Sequence, residues 1–398
     1  MNFVFISPNY PECYWLFCRG LKKYGAKVLA IVDSPHDSLS KELKENIDDC
    51  YYVSSFHDYD QVFKAVAYFS YKYGKIDWIE SNNEAWLTLD ARLRDDFNVR
   101  SGFSLHTIEE YQSKAAMKKY YALANIPTAR YCLYSSFEEA SFFGETVGYP
   151  LVLKPDHGVG ASCTYILQDK KDLEIYYEKT KDQQMILEEY IDGDVFTLDG
   201  ICDQHGEIRY LSSMEYVGNC MDSVLNQESI GAYTTFEIPF EERKMIQDVI
   251  HAFELKNRFF HCEFFRLIKD KEGVGQAGEI FGLEVNFRPP GGFAPDLMNY
   301  AGSIDVYDIW AEILLKQNTY YPRRPRKSCA FAGRRQGIAY QYSLDEIQQQ
   351  FHDELKEVRS LPKALAQAMG DVTITCLFTE EIRRKEFFDI VFSVQKEG

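Results

Sequence analysis

The sequence predicts an α/β and α+β protein: a Rossmann-like N-terminal unit, a larger mixed middle and a small α+β C-terminal region. Short apolar strands alternate with helical segments from Asn2 to Glu80, the pattern of a parallel sheet wrapped by helices. From Ala129 onward, strand-like runs follow one another across glycine-rich turns, which fits antiparallel pairing. A basic, proline-bearing stretch, Tyr321 to Lys327, then sets off the last part of the chain. With 398 residues the chain exceeds what one core organises, and it divides at 1–110, 111–318 and 319–398, with a subdomain spanning about 126–187.

Composition narrows the function. Hydrophobic residues at 45% and aromatics at 15% suffice for packed cores. A formal charge of -17 argues against nucleic-acid and acidic-membrane partners, which need clustered Lys and Arg. Any anionic ligand must therefore meet local cations. Met1 to Ile6 has no basic flank, and no apolar run approaches transmembrane length, so a soluble, cytoplasmic protein is expected. Ten cysteines without Cys-x-x-Cys spacing fit reduced, packed thiols.

Asn2 to Ser7 and Lys27 to Asp33 read as strands around a helical segment from Glu12 to Lys23. The turn after the first strand, Ser7 to Pro11, lacks the Gly-x-Gly-x-x-Gly that lets a pyrophosphate approach a helix. A strand at Cys50 to Val53, a helix at Tyr59 to Tyr73 and a strand at Ile76 to Glu80 continue the alternation. Ligands of open α/β sheets gather beyond the strands' carboxyl ends, which makes Glu80, Asn82, Asn83 and Glu84 pocket candidates; capping explains Asn83 and Glu84 as well. Thr107 to Ala124 reads as one helix, broken by Asn125-Ile126-Pro127. Within it Ala116-Met117-Lys118 lacks the following Met and the hairpin context of a biotin-bearing lysine.

Further strands are expected at Ala129 to Tyr134, Leu151 to Pro155 and Cys163 to Leu167, with a helix at Phe137 to Val147. The loop Asp156 to Ser162 joins two of these strands as a hairpin, and its free N-H groups suit phosphate, with Lys154 at the base. Leu187 to Ile191 and Val195 to Cys202 are strands, Cys220 to Ala232 a loop and Phe240 to Leu255 a helix. Val372 to Phe378 and Phe387 to Val394 read as strands of the C-terminal region.

Two stretches carry chemistry. In Glu284-Val285-Asn286-Phe287-Arg288, strand alternation puts Glu284, Asn286 and Arg288 on one face. A carboxylate and an amide oxygen form a hard-oxygen pair suited to Mg2+, and Arg288 offers a planar fork for carboxylate or phosphoryl oxygens. Pro289-Pro290-Gly291-Gly292 ends the strand in an open turn. In Phe260 to Phe265, Glu263 is costly to bury unless paired or bound to a cation. Were Glu263 and Glu284 on neighbouring strands, their charges would repel unless a divalent ion lay between them.

Taken in order, Lys114, Lys154 with Gly158 to Ser162, the hinge Glu188-Glu189-Tyr190-Ile191, Glu263 and Glu284-x-Asn286-x-Arg288 resemble the ATP-grasp superfamily. The resemblance runs from Met1 to Lys316 and is strongest to the branch of biotin carboxylase, the carbamoyl-phosphate synthetase large chain and the carboxylate-amine ligases. It implies an ATP-grasp fold behind a Rossmann-like domain, with ATP and Mg2+ (or Mn2+) as cofactors. It also implies that Lys114, Lys154, Gly158, Gly160, Ala161 and Ser162 meet the phosphates. Glu188, Glu189, Tyr190 and Ile191 would surround adenine, and Asp194 stands where a ribose-binding Glu is common. Glu263, Glu284 and Asn286 would hold the metal, Arg288 and Lys154 would serve the reaction, and Arg288, Gly291, Gly292 and Glu84 would face the substrate. The implied partners are a small-molecule carboxylate and an amine, and relatives are often homodimers.

Ser212 to Tyr216 contains no lysine, and no bicarbonate-handling Gln-Lys arrangement is found, which favours a stand-alone ligase over a carboxyphosphate-forming enzyme. A non-catalytic nucleotide-binding regulator and a phosphotransferase working through His157 or His261 are the other readings. Arg334 and Arg335 reach over the pocket or form a solvated charge run, the latter being preferred.

Overall fold

The computed structural model describes residues 1–158, 163–218, 228–316, 327–361 and 363–395. Gly160, Ala161, Ser162 and the linker 321–326 lie outside the described residues.

Strands β1 (Asn2–Ile6), β2 (Lys27–Val32), β3 (Asp49–Tyr52) and β4 (Trp78–Glu80) form a parallel sheet in the order β3-β2-β1-β4. Past their first residues, Asn2 and Lys27, its middle strands are apolar throughout because both faces are covered. Val4, Ile6, Leu29 and Ile31 pack on Val62, Val66 and Phe69 of helix Tyr59–Tyr73. Phe3, Phe5, Val28 and Ala30 meet Phe17 and Leu21 of helix Trp15–Lys23, together with Tyr307 and Trp310. The last two come from helix Val306–Lys316, far along the chain. Phe17 wedges between them, with ring centres 4.7 Å from Tyr307 and 5.2 Å from Trp310.

A small antiparallel sheet follows, built from β5 (Tyr131–Cys132), β6 (Leu151–Pro155), β7 (Tyr165–Leu167) and β8 (Met185–Glu189) in the order β5-β8-β6-β7. β6 and β7 are the expected hairpin, with Leu151 opposite Leu167. Helices Phe137–Val147 and Lys170–Thr180 cover one face through Ala140 and Leu173.

The largest sheet has eight strands: β9 (Gly193–Cys202), β10 (Ile208–Val217), β11 (Ile230–Thr234), β12 (Arg258–Leu267), β13 (Ile280–Asn286), β14 (Ser328–Arg334), β15 (Leu355–Ser360) and β16 (Val372–Phe378). Their order is β13-β12-β9-β10-β11-β14-β16-β15. The C-terminal strands therefore extend the central sheet. They are joined to it by β11, which pairs β10 on one side and β14 on the other.

Several expectations change here. β11 falls in a stretch read as loop; four of its five residues are buried, so no polar alternation marks it. The single helix of Thr107 to Ala124 is two, Leu105–Tyr111 and Lys114–Leu123. The break is Ser113, whose hydroxyl accepts from Ala116 N at 3.1 Å and starts the second helix. Phe387 to Val391 belongs to a helix, Glu381–Val391, and of the rest of that expected strand Val394 makes an isolated bridge to Tyr340. Its Phe and Ile content suggested a strand, but Arg384, Phe387, Phe388 and Val391 recur at helical spacing on the buried face. Arg334 and Arg335 are buried, not solvated. Arg334 lies 3.6 Å over the Tyr340 ring and donates to the Tyr342 carbonyl, and Arg335 donates to the carbonyls of Glu228 and Ala366. Among the described residues no helix is long and apolar enough to cross a membrane.

Candidate active site

Three adjacent strands of the large sheet present their polar positions in register. Thr197 on β9, Glu263 on β12 and Glu284 on β13 stand abreast, as do Asp199, His261 and Asn286. Alternation puts all six on one face. Glu263 and Glu284 are thus direct cross-strand neighbours.

Like charges so placed need compensation. Burial and the charge of Glu263 push Glu284 up. Burial opposes ionisation of Glu263 too, yet the hydrogen bond and charge of His261, with Arg288 and Lys154 near, hold it below the usual range. His261 is gripped at both nitrogens, Nδ1 2.6 Å from Asp199 and Nε2 3.1 Å from Glu263. Burial works against its charge, but Asp199 and then Glu263 bring it up to about 9, so both nitrogens donate at neutral pH.

The lysines converge from two other elements. Lys114, the first residue of its helix, lies 3.5 Å from Glu284 and donates to the Gly158 carbonyl at 2.7 Å. Lys154 on β6 meets Glu188 on β8 at 2.7 Å, and Lys118 meets the same carboxylate at 2.7 Å. Burial opposes the Glu188 charge, but the two lysines hold its pKa at about 2. Asp156 fixes this assembly. Fully buried, it accepts from Ser113 Oγ at 2.7 Å and Ala115 N at 2.9 Å, and its carbonyl accepts from Lys114 N. The end of β6 is thereby tied to the start of the Lys114 helix.

Lys118 and Asp156 were not singled out as site residues in the sequence. Lys118 carries a signal nonetheless, since its spacing of four from Lys114 puts both on one helix face. Asp156 carries none, because its role depends on a helix start 43 residues away.

The remaining candidates divide. Glu189 points away from Glu188 and is held by Arg130 at 2.6 and 2.8 Å and Lys271 at 3.0 Å. Lys271 also donates to the Tyr190 carbonyl at 2.8 Å. Ile191 is buried beside Leu267 and Phe281, and Asp194 is exposed at the start of β9. Arg288 donates to the Pro289 carbonyl at 2.7 Å and lies 3.3 Å from Glu84, which also accepts from Gln112 at 2.8 Å. Asn83 caps the turn Glu84–Trp86 through Ala85 N. Gly291 is open to solvent, while Gly292, at φ +60°, has Met369 close enough that a Cβ there would approach its Cε at 2.8 Å. Arg266 is engaged elsewhere, with Glu215 and Glu242, so it does not neutralise Glu263.

Two carboxylates and one amide on adjacent strands fit a hard divalent cation. The donors are all oxygen, the set is small enough to leave positions for phosphate oxygens, and a cation answers the Glu263 and Glu284 repulsion. The resident cations, His261 beside Glu263 and Lys114 beside Glu284, answer it in part.

Residues 111–254 match the family model described as the carbamoyl-phosphate synthase L chain ATP-binding domain. An L-arginine-specific L-amino acid ligase of Bacillus subtilis is 26% identical over 246 residues, covering 60% of this chain and 57% of that protein. A phosphoribosylamine--glycine ligase of Streptococcus pneumoniae is 28% identical over 149 residues, covering 32% and 34%. The chain thus aligns with little more than half the length of the first relative and a third of the second. Among solved structures, an L-amino acid ligase from Bacillus licheniformis superposes with a TM-score of 0.72 at 18% identity, covering 100% of this chain and 99% of that one. An N5-carboxyaminoimidazole synthetase from Staphylococcus aureus gives 0.70 at 15% identity, covering 98% and 100%. The chain thus has the ATP-grasp fold, and its residues 111–254 match that ATP-binding family model.

In ATP-grasp terms, the small sheet with its β6–β7 hairpin faces the large sheet's polar face, and Lys114 bridges them. The whole chain takes part in the fold likeness, including β14 to β16.

Proposed function

We propose that this ATP-grasp protein is an ATP- and Mg2+-dependent ligase that activates a carboxylate as an acyl phosphate and joins it to an amine. The observation that carries the reading is the meeting of Glu263, Glu284 and Asn286 with Lys114 and Lys154 around one face. The L-amino acid ligase and phosphoribosylamine--glycine ligase relatives support it, both being named for joining an acid to an amine.

Glu263, Glu284 and Asn286 would hold Mg2+, which supplies charge neutralisation for the triphosphate. Lys114 and Lys154 meet the phosphate oxygens, and Lys154 exchanges part of its pairing with Glu188 for them. Phosphoryl transfer asks mainly for positioning and charge compensation. A substrate carboxylate oxygen attacks the γ-phosphorus, the bond to the β-bridging oxygen breaks, and ADP leaves. The amine nitrogen then attacks the acyl carbon, the carbon-oxygen bond to phosphate breaks, and the nitrogen gives up a proton. Arg288, two residues past β13 and beside Glu84, steadies the acyl and phosphoryl oxygens.

The test is ADP and phosphate release across a panel of acids paired with amines, amino acids first. Release that needs both partners, with a matching amide by mass spectrometry, is expected. Release with bicarbonate alone would reassign the chain to carboxyphosphate formation, and ATP binding without turnover across the panel would reassign it to regulation.

A further inference from the structure

Beside the carboxylate pair lies a line of buried polar side chains that the proposed reaction does not itself use. Thr197 Oγ1 donates to Asp199 Oδ2 at 2.6 Å, Asp199 Oδ1 meets His261 Nδ1 at 2.6 Å, and His261 Nε2 meets Glu263 Oε1 at 3.1 Å. Asp199, Thr197 and His261 are all buried. The line runs along β9, crosses to β12 and then runs along β12, so each link is fixed by sheet register. Even paired, buried ionic groups of this kind often cost stability relative to well-packed apolar residues. They are explained if they orient something.

We propose that His261, itself aimed by Asp199 and Thr197, is a positioning residue that holds one oxygen of Glu263 and turns the other toward a divalent cation. The inference rests on the metal reading of Glu263 given above. Glu263 is a flexible side chain on a strand, and a free carboxylate would sample several rotamers. One oxygen locked by a ring that is itself locked leaves a single direction for the second. Asn286 is opposite His261 and Glu284 opposite Glu263 in the β12–β13 register, so the freed oxygen belongs to the same face as the other two donors. An outer partner that orients a ligating side chain governs affinity for the ion more than the chemistry that follows.

The experiment is Mn2+ binding by electron paramagnetic resonance in the presence of ADP, for the wild type, Asp199→Asn, His261→Gln and Glu263→Gln. Thermal melts and circular dichroism run alongside to confirm folding. Asp199→Asn keeps the shape and one acceptor, so it remains informative should His261→Gln fold poorly. Expected is a loss of Mn2+ affinity of about 10- to 100-fold in Asp199→Asn and His261→Gln, the range typical of outer-shell changes. The Mg2+ concentration for half-maximal turnover should rise by the same factor, with turnover largely restored at saturating Mg2+. A purely structural role would lower the melting temperature and leave the affinity within about twofold of wild type, against the range above. That outcome, with Glu263→Gln still losing affinity, would overturn the positioning role alone. Unchanged affinity in Glu263→Gln as well would remove the metal reading and this inference with it.

Discussion

Glu284 shows how one side chain is held in balance. Burial and Glu263 disfavour its charge, while Lys114 at 3.5 Å and Lys154 favour it. Glu284→Gln is nearly isosteric and removes the charge a cation would answer. It should abolish Mg2+-dependent ADP release while the circular dichroism spectrum stays that of wild type; turnover near the wild-type rate would contradict the metal assignment. Arg288 differs in kind, because its partners are Glu84 and a carbonyl at the strand end. Arg288→Ala should lower kcat far more than ATP affinity measured by calorimetry, and a loss confined to ATP binding would move Arg288 to the nucleotide side. Glu188 is the counterexample to reading adjacent acids as equivalent. It closes on two lysines, whereas Glu189 closes on Arg130 and Lys271, because strand alternation sends neighbours to opposite faces.

At the scale of elements, the two lysine-bearing segments are held together by Asp156. Its carboxylate serves Ser113 and Ala115 at the start of the Lys114 helix, and it follows β6 directly. Asp156→Ala leaves buried donors unsatisfied at about 1–3 kcal/mol each. We expect a clear fall in melting temperature together with a raised KM for ATP, since Lys114 and Lys154 lose their common anchor. A variant with lower stability but unchanged KM would show that the lysines are placed independently. β14 illustrates a tighter constraint. A Cβ at Gly333 would come within 1.9 Å of the Met369 carbonyl, so this strand tolerates no side chain where helix Lys363–Met369 ends against it.

Across the whole molecule, the parallel sheet and the large sheet are joined by buried charges. Arg258 at the start of β12 donates to Glu80 at the end of β4 at 2.6 Å and to the Phe287 carbonyl at 2.9 Å, one residue before Arg288. Arg94 approaches the same Glu80 at 3.7 Å, and Asp90 accepts from Ser81 N and Oγ. Burial, reinforced by Glu80, pushes Asp90 up to about 8. An unfolded Asp titrates near about 3.9, so between pH 4 and 8 the unfolded chain sheds a proton that the folded chain keeps. The Asp90 contribution to stability therefore declines as pH rises through that window. Asp90→Asn removes the decline: the melting temperature of the variant relative to wild type should be higher at pH 8 than at pH 5. A constant difference across that range would place the retained proton elsewhere.

The N-terminal strands, the β6–β7 hairpin and the Glu284-x-Asn286 strand were legible because each is a local pattern, with periodicity or turn chemistry confined to a few neighbours; Arg288, expected on that strand, lies just past its end. The polar face of β12 and β13 was legible for the same reason. β11 was not, since a strand buried on both faces shows no alternation, and the Glu381–Val391 helix was not, since aromatic and β-branched residues suit a strand until a tertiary surface selects their helical face. Chemistry at single residues, meaning which side chains are acids, bases and forks, and in what order, was fixed along the chain. Partnership was decided only by folding. Asp156 meeting Ser113, Lys118 sharing Glu188 with Lys154, and Asp199 aiming His261 all join residues that are remote in sequence. Such contacts depend on register and burial, which no single segment encodes.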